Sequence, residues 1–367
     1  MDVLIAKAEL QKALSRAQGI AESRSSAMPI LQHVLLEAEE NGVRVSATDL
    51  DISLRAEYKA QVKKPGRVTL PARKVFDVVR ELPDADVHLE EEDNHWVRLT
   101  CAKAKFRFPG LEPDDFPAIP ALGDAPLYWP LPAADLARMI RKTQFAVSTD
   151  ETRTALNGIF FEAKGGTLTL VATDGHRLAC VSHRCEALTE DLGIIIHRKA
   201  IQELLKVLAE AEETVQFQRQ ENHVLFKTDS LALVSRLIEG QFPNFQAVIP
   251  KGNDKRARVS REELGGGLRR VSLMANEKSR MVKLRFRDRV LSLFSDTSEQ
   301  GEASEELEID YKGEEVVIGF NSRYLLDFLN VVEDESLRIE LKDALSSTLL
   351  SPGESKDYYC VVMPMRV

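Results

Sequence analysis

An α+β fold repeated three times, each copy with two helices on a mainly antiparallel sheet, is what the 367-residue sequence predicts. Three observations carry this. The order short strand, amphipathic helix, strand pair, strand, second helix occurs three times, and a long period of this kind marks a repeat architecture. Leu10, Leu136 and Leu264, which head the first helix of each copy, lie 126 and 128 residues apart. Asp49, Asp174 and Asp296, at the end of a strand in each copy, lie 125 and 122 apart.

Each copy opens with a strand and a helix. Ile5 to Leu10 leads into Gln11-Lys-Ala-Leu14 and on to Ile20; Leu131 to Asp135 leads into Leu136-Ala-Arg-Met-Ile140; Val259 to Glu263 leads into Leu264, Leu268 and Val271. A strand pair follows, through Val43-Arg-Val-Ser-Ala-Thr-Asp49, Leu168-Thr-Leu-Val-Ala-Thr-Asp174 and Val290-Leu-Ser-Leu-Phe-Ser-Asp296. Apolar and polar residues alternate in all three, the period of a half-buried strand. The second copy continues Asp174-Gly175, a strong turn signal, so Thr167 to Ala179 reads as strand, turn, strand. A further strand then runs into the second helix, at Val68 to Lys74, Gly193 to Lys199 and Val316 to Arg323. The helix faces are Val75, Phe76, Val78, Val79 and Leu82; Ile201, Leu204, Leu205 and Leu208; Leu325, Leu326, Phe328 and Leu329. The first two copies close on Asp115-Phe-Pro-Ala-Ile-Pro120 and Gln241-Phe-Pro-Asn-Phe-Gln-Ala-Val-Ile-Pro250, and the third on Tyr358 to Val367. Domain boundaries are expected at 1–120, 128–250 and 251–367.

Composition fits a soluble globular chain, with 44% hydrophobic and 29% charged residues. Apolar runs such as Gly193-Ile-Ile-Ile196 are far shorter than a membrane span. The opening Met1-Asp2-Val3-Leu4-Ile5 lacks the basic region of a signal peptide. Cys101, Cys180, Cys185 and Cys360 form no CxxC pair and read as reduced core thiols of a cytoplasmic protein.

The net charge is −9, which taken alone argues against nucleic acid. Placement reverses the argument. The helix segments 7–24, 72–81, 132–145, 197–207, 260–270 and 321–330 hold 17 Lys/Arg and 9 Asp/Glu, a net of +8, leaving −17 for the remainder. Any one charged helix face is ordinarily just solvated. The same basic bias in five of six repeat-related helices implies a shared surface for a phosphate backbone, which gives affinity without reading sequence. Aromatic residues are 6% of the chain and do not interleave with the basic ones, which favours duplex over single strand.

Catalytic signals are weak. Asp174 with His176, or Asp49 with Asp51, resembles an acid/base or metal-binding pair, yet the three repeated aspartates read better as turn residues. His33, His88, His95, His176, His183, His197 and His223 are scattered, and no HExxH, Walker A or GxSxG motif occurs. No metal and no cofactor is expected. A DNA-acting hydrolase would need clustered carboxylates or an activated nucleophile, and a scaffold binding only proteins would leave the basic helices without a role. Gly265-Gly266-Gly267 falls inside the third copy's first helix, where each glycine costs about 1 kcal/mol relative to alanine. It lacks the Gly-Lys-Ser/Thr of a phosphate loop and reads as a locally weak helix.

Five stretches carry a resemblance to a known family: Ala172-Thr-Asp-Gly-His-Arg-Leu-Ala179, Pro71-Ala-Arg-Lys74, Leu156-Asn-Gly158, Gly319-Phe-Asn321 and Val361-Val-Met-Pro-Met-Arg366. With three aligned repeats over the whole chain, the sequence resembles the bacterial DNA sliding clamps, the beta subunits of the DNA polymerase III holoenzyme. The resemblance implies a non-catalytic processivity factor, a head-to-tail homodimer closed as a six-domain ring around duplex DNA, in the cytoplasm and associated with the nucleoid. Twelve helices roughly 10 Å wide, side by side, enclose an opening of about 28 Å. A duplex about 20 Å across, with major grooves ~8.5 Å deep, passes through it with room for water.

Carried over residue by residue, the resemblance puts Arg24, Arg73, Arg153, Arg198 and Lys199 toward DNA. Thr154 and Ala155 stand where many relatives have aromatic residues. A groove for short apolar peptides would be formed by Leu156, Thr173, Gly175, His176, Arg177, Leu178, Pro243, Val248, Asn321, Tyr324, Leu345, Ser347, Val361, Val362, Met363, Pro364, Met365 and Arg366. Ala247 and Ser279 replace larger residues of some relatives, which implies a shallower groove with altered peptide preference. Implied partners are the replicative polymerase alpha subunit, the clamp loader, translesion and repair polymerases, and mismatch-repair and ligase-type proteins. For the dimer, Lys74, Lys103, Lys105, Phe106 and Phe108 would face Leu273, Met274, Glu299, Glu302, Glu305 and Glu306.

Overall fold

The structure, a computed structural model, describes residues 1–21, 28–40, 42–120, 129–297, 301–353 and 355–366. The first repeat runs β1 (Asp2–Ala6), α1 (Lys7–Ile20), β2 (His33–Glu39), β3 (Gly42–Thr48), β4 (Ile52–Tyr58), β5 (Gln61–Lys64), β6 (Gly66–Pro71), α2 (Ala72–Glu81), β7 (Asp86–Glu91), β8 (Trp96–Cys101) and β9 (Ala104–Pro109). The second runs β10 (Trp129–Pro132), α3 (Ala133–Thr143), β11 (Gly158–Lys164), β12 (Thr167–Thr173), β13 (Arg177–Arg184), β14 (Leu192–His197), α4 (Arg198–Leu208), β15 (Thr214–Gln220), β16 (His223–Lys227) and β17 (Leu231–Arg236). The third runs β18 (Lys255–Ser260), α5 (Arg261–Val271), β19 (Met281–Arg287), β20 (Val290–Thr297), β21 (Gly301–Glu308), β22 (Asp310–Tyr311), β23 (Val316–Asn321), α6 (Ser322–Leu329), β24 (Ser336–Leu341), β25 (Thr348–Pro352) and β26 (Tyr358–Val362). All six helices fall where the apolar periodicity puts them.

The helices form because their apolar residues recur at helical spacing. In α1, Leu10, Ala13, Leu14, Ala17 and Ile20 are all buried. Full burial of each Leu or Ile contributes about 1.5–3 kcal/mol. Leu136 and Leu264 are buried like Leu10, so the leucine spacing marks one core position in three copies. Strands alternate as expected: Val87 and Leu89 of β7 and Val97, Leu99 and Cys101 of β8 point inward.

By contacts the chain divides into two compact units, Met1–Ala137 with Lys199–Leu237, and Arg138–Arg198 with Ile238–Val367. The middle repeat is shared between them, and sheet pairing explains why. In the first unit one sheet runs β10-β15-β16-β17-β4-β3-β2-β6, so strands of the second repeat continue a sheet of the first. In the second unit one sheet runs β14-β11-β12-β13-β26-β25-β24-β18-β22, joining the second repeat to the third. Both joints are antiparallel, with Ser53 opposite Val234 and Leu178 opposite Val361. The two remaining sheets, β5-β1-β7-β8-β9 and β21-β20-β19-β23, have β9 and β21 among their edge strands, each paired on one side only.

Two sequence expectations change. Asp49 and Asp174 are indeed turn residues, but Asp296 lies inside β20 and its carboxylate pairs with Lys283 at 2.9 Å. The strand extends past the point where its sisters turn, so the third aspartate has a surface pairing role instead. Gly265-Gly266-Gly267 does not interrupt α5, which runs unbroken through it. Gly267 has a packing reason: a Cβ there would lie 2.7 Å from Leu293 Cδ1, so its absence lets α5 press onto β20.

Candidate functional site

The candidate groove is organised by the turn between β12 and β13. Asp174 Oδ1 accepts hydrogen bonds from the backbone N–H of His176 (2.9 Å) and Arg177 (3.0 Å). Thr173 Oγ1 accepts from Gly175 N–H (3.1 Å) and donates to Arg177 O (2.6 Å). This is an Asx turn, which Asp forms because its short side chain mimics a backbone turn. Gly175 sits at φ +89°, where a side chain is strained. The first repeat builds the same frame: Asp49 Oδ1 accepts from Asp51 and Ile52 N–H, and Thr48 Oγ1 from Leu50 N–H. There Leu50 takes the left-handed conformation, at φ +78°, and is 53% exposed.

Arg177 locks the turn to its surroundings. It is 8% exposed; Nε donates to Asp174 Oδ2 (3.1 Å), Nη1 to Asp327 Oδ2 (2.7 Å) and Nη2 to Phe145 O (2.5 Å). Its guanidinium also lies 4.6 Å from the Tyr324 ring centroid and 5.2 Å from that of Phe145. The head group is therefore occupied within the protein, and Arg177 holds the wall in place. His176 stacks on Tyr324 with centroids 6.3 Å apart, and its carbonyl accepts from Met363 N–H at 2.9 Å.

Beside this turn lies a cavity of about 140 Å³ with an apolar lining. Ten residues expected in the groove line it: Leu156, Thr173, Gly175, His176, Arg177, Leu178, Pro243, Val248, Val361 and Met363. Phe242, Asn244 and Phe245 also line it and were missed. Their signal is the pair of aromatic residues in Gln241-Phe-Pro-Asn-Phe245, a stretch that repetition by itself marks only as the close of a domain. Phe160 stacks on Phe242 at 4.9 Å and fixes that wall. Leu178 and Leu156 belong to the buried cluster beneath, with Val171, Cys180, Ile195 and Val361. Val248 and Met363 are exposed apolar side chains in its lining, and Leu345, which does not line it, is exposed too.

Asn321, Tyr324, Leu345, Ser347, Val362, Pro364, Met365 and Arg366 lie outside the lining. Asn321 caps α6, its side-chain oxygen accepting from Arg323 N–H. Val362 is buried in β26, and Met365 N–H donates to Gly319 O. Ser347 O accepts from Asn253 Nδ2. Burial pushes the Cys180 thiol up to about 11 and the Cys360 thiol up to about 12. Both stay protonated near neutral pH and act as core side chains.

Of the residues expected to face DNA, Arg24 lies outside the described residues. Arg73 is exposed on α2. Arg153 pairs with Asp150 (3.0 Å), Arg198 with Glu151 (3.5 Å), and Lys199 with Asp49, while Lys199 Nζ also donates to Ile20 O (3.0 Å). Hydrogen bonds from Thr152, then Arg153, hold the Asp150 carboxyl below its ordinary value. Of the residues expected at the dimer contact, Lys74, Lys103, Lys105, Glu302 and Glu306 are exposed, and Leu273 is 78% exposed. Phe106 is exposed and stacks on Phe108, which is buried in its own sheet, so Phe106 is the ring left for contact. Glu305 pairs with Arg270 at 2.5 Å and Glu306 with Arg287 at 2.6 Å. Met274 is half-buried, and Glu299 lies outside the described residues. A wider hollow of about 510 Å³ has four glutamates, Glu37, Glu39, Glu40 and Glu57, against Arg44 and Lys59 in its lining, so its charge is net acidic and disfavours phosphate.

Family models for the DNA polymerase III beta subunit match in three consecutive parts: the N-terminal domain over residues 1–120, the central domain over 130–244 and the C-terminal domain over 246–366. Proteins named beta sliding clamp from Caulobacter vibrioides and Pseudomonas aeruginosa are 37% and 34% identical, each over the whole of both chains. The crystal structure of the Pseudomonas aeruginosa DNA polymerase III subunit beta superposes with a TM-score of 0.94 over all of both chains at 34% identity. That of the Bacillus subtilis DNA polymerase sliding clamp gives 0.95 at 29% identity, covering 100% of this chain and 99% of the other. The chain belongs to the beta sliding clamps, the beta subunits of DNA polymerase III.

Proposed function

We propose that two copies of this chain close head to tail into a ring around duplex DNA, slide on it without reading sequence, and tether polymerases through the groove beside Gly175. The ring role rests on one observation. Each internal joint pairs the same two strands, β4 with β17 and β13 with β26, so their counterparts β21 and β9 remain as open edges. An unpaired edge is a template for another strand. A second copy supplies β9 to β21, and the first copy receives the reverse. Within the hairpins, Ser53, Leu178 and Ala303 are opposite Thr48, Thr173 and Ser295, which makes them equivalent. Carrying the joint register forward sets Ala303 against Arg107 of the second copy and Glu305 against its Lys105. Basic and acidic edges around an apolar centre of Phe106 and Leu273 suit an interface that opens and closes.

On the DNA side, three of the four described candidate cations already have an acidic neighbour. A phosphate that meets one of these three finds a partly neutralised cation, and contact there is weak and screened. That suits sliding, because topology rather than grip retains the ring. A duplex without ends enters only if a joint opens. The groove takes a short peptide with apolar anchors, whose affinity is raised by the tether. The replicative polymerase alpha subunit, the clamp loader and repair proteins are its proposed occupants.

The test is retention on DNA. The protein loaded on nicked circular DNA should remain through gel filtration and be lost after linearisation. Equal retention on both forms would remove the ring. Met363→Ala with Val248→Ala should weaken a polymerase-tail peptide about tenfold, which is 1.4 kcal/mol, without changing the dimer.

A further inference from the structure

The run Gly265-Gly266-Gly267 takes no part in the groove or in the DNA-facing charge. The ends of α5 are well built for a helix. Ser260 Oγ accepts from Glu263 N–H, Glu262 and Glu263 occupy the first turn, and Arg269 and Arg270 the last. Its centre carries three residues that weaken a helix more than any other except proline. The sister helices have Gln11-Lys12-Ala13 and Ala137-Arg138-Met139 at the same places.

Packing accounts for Gly267, which lies against Leu293, but not for the other two. A Cβ at Gly265 would meet nothing closer than Arg269 Nη1 at 3.4 Å, and one at Gly266 nothing closer than Arg270 Nη1 at 3.1 Å. Both neighbours are the ends of flexible side chains. Neither glycine has a positive φ. Backbone geometry allows alanine at both positions; space allows it at Gly265, while at Gly266 the Arg270 guanidinium, which is paired with Glu305, has to give by a few tenths of an ångström.

What lies beyond them is tied to the edge of the sheet. Arg270 donates to both oxygens of Glu305 on β21, at 2.8 and 2.5 Å. Ser295 Oγ on β20 donates to Met274 O at 3.3 Å. Between these anchors stands the exposed Leu273. The second half of α5 and residues 272–274 therefore form a lip that carries part of the proposed contact surface, held to the β20–β21 edge by side-chain contacts, while β20 itself stays laddered to β19.

We propose that Gly265-Gly266 is a hinge, which lets this lip swing against the rest of the third repeat and so opens the joint between copies without unfolding it. The hinge rests on the head-to-tail dimer proposed above. It is tested with Gly265→Ala and Gly265→Ala/Gly266→Ala in the full chain. Hydrogen exchange of the α5 amides should slow about fivefold per alanine. Exchange of fluorescently labelled subunits between dimers should slow by a similar factor, with groove-peptide affinity unchanged. Slower amide exchange with unchanged subunit exchange would overturn the hinge, as would native α5 amides as protected as those of α3. The single variant carries the test if moving the Arg270 guanidinium prevents the double variant from folding. A protein that sediments only as a monomer would overturn the dimer itself, a result distinct from failure of the hinge.

Discussion

Arg177 offers the sharpest test of how the groove is held. Arg177→Met keeps the apolar stem and removes the fork. Three acceptors lose their donor at once: Asp174 Oδ2, Asp327 Oδ2, which among the described residues keeps only Arg323 Nε at 3.8 Å, and Phe145 O. Breaking a buried charged network by removing one partner costs about 3–5 kcal/mol. Here Asp174 and Asp327 keep 17% and 25% exposure, so water relieves part of that cost. The lower end, about 3 kcal/mol, is the working value, and at about 2–4 °C per kcal/mol it lowers the Tm by about 6–12 °C.

Thermal unfolding measures this directly, and a double-mutant cycle with Asp327→Asn isolates the longer-range pair. Its coupling should be about 0.5–3 kcal/mol, as for residues sharing one hydrogen-bond network. Arg177→Lys should fall between, since lysine restores charge without the planar fork. Peptide affinity should fall as well, because Tyr324 and the turn lose their common anchor. A Tm within about 1 °C of the native protein, or a coupling below about 0.3 kcal/mol, would refute the account of Arg177 as the clamp.

Two further outcomes follow from local geometry. Leu50→Asn should raise stability by about 1 kcal/mol, since Leu50 bears left-handed strain that Asn tolerates and buries little to lose; a lower Tm would show that its side chain is packed in solution. Hydrogen bonding from Arg270 holds the Glu305 carboxyl below its ordinary value of 4.5, so the pair's contribution is complete above that value and fades as pH falls through the depressed folded value. Subunit exchange should therefore be flat above pH 4.5 and accelerate only below it; acceleration near pH 6 would point to a histidine instead.

Much of this was legible in the sequence because repetition multiplies each signal. A single Leu at a helix start is weak evidence, whereas Leu10, Leu136 and Leu264 at matched spacing locate three helices. The sheets were less legible. Nothing in the alternation of β4 or β13 shows that each pairs with a strand about 180 residues away in the chain, because period 2 reports a strand's faces and not its neighbours. The same blindness hid Phe242 and Phe245, whose place in the groove depends on Phe160 in β11. It also hid the clamp: a sequence shows that Arg177 is basic, but not that Asp327 waits 150 residues on.

The groove is best understood as a joint where the repeat was broken. The turns at Asp49 and Asp174 share their hydrogen bonds, and both joints share their register, so backbone geometry alone does not make a binding site. The substituents differ. At the first joint Leu50 projects outward and Ser53 faces Val234. At the second, Leu178 faces Val361 and Gly175 leaves room that the Arg153 guanidinium already approaches to 2.7 Å of a would-be Cβ. A side chain at Gly175 would be strained by its φ and would collide with Arg153. Replacing serine by leucine at the joint supplies an apolar floor, and replacing leucine by glycine clears its entrance. In the third copy Asp296 lies within β20, and the strand β21 is left as an edge. One scaffold thus yields a closed joint, a joint with a pocket and an open joint, and only the last two have surface left for partners.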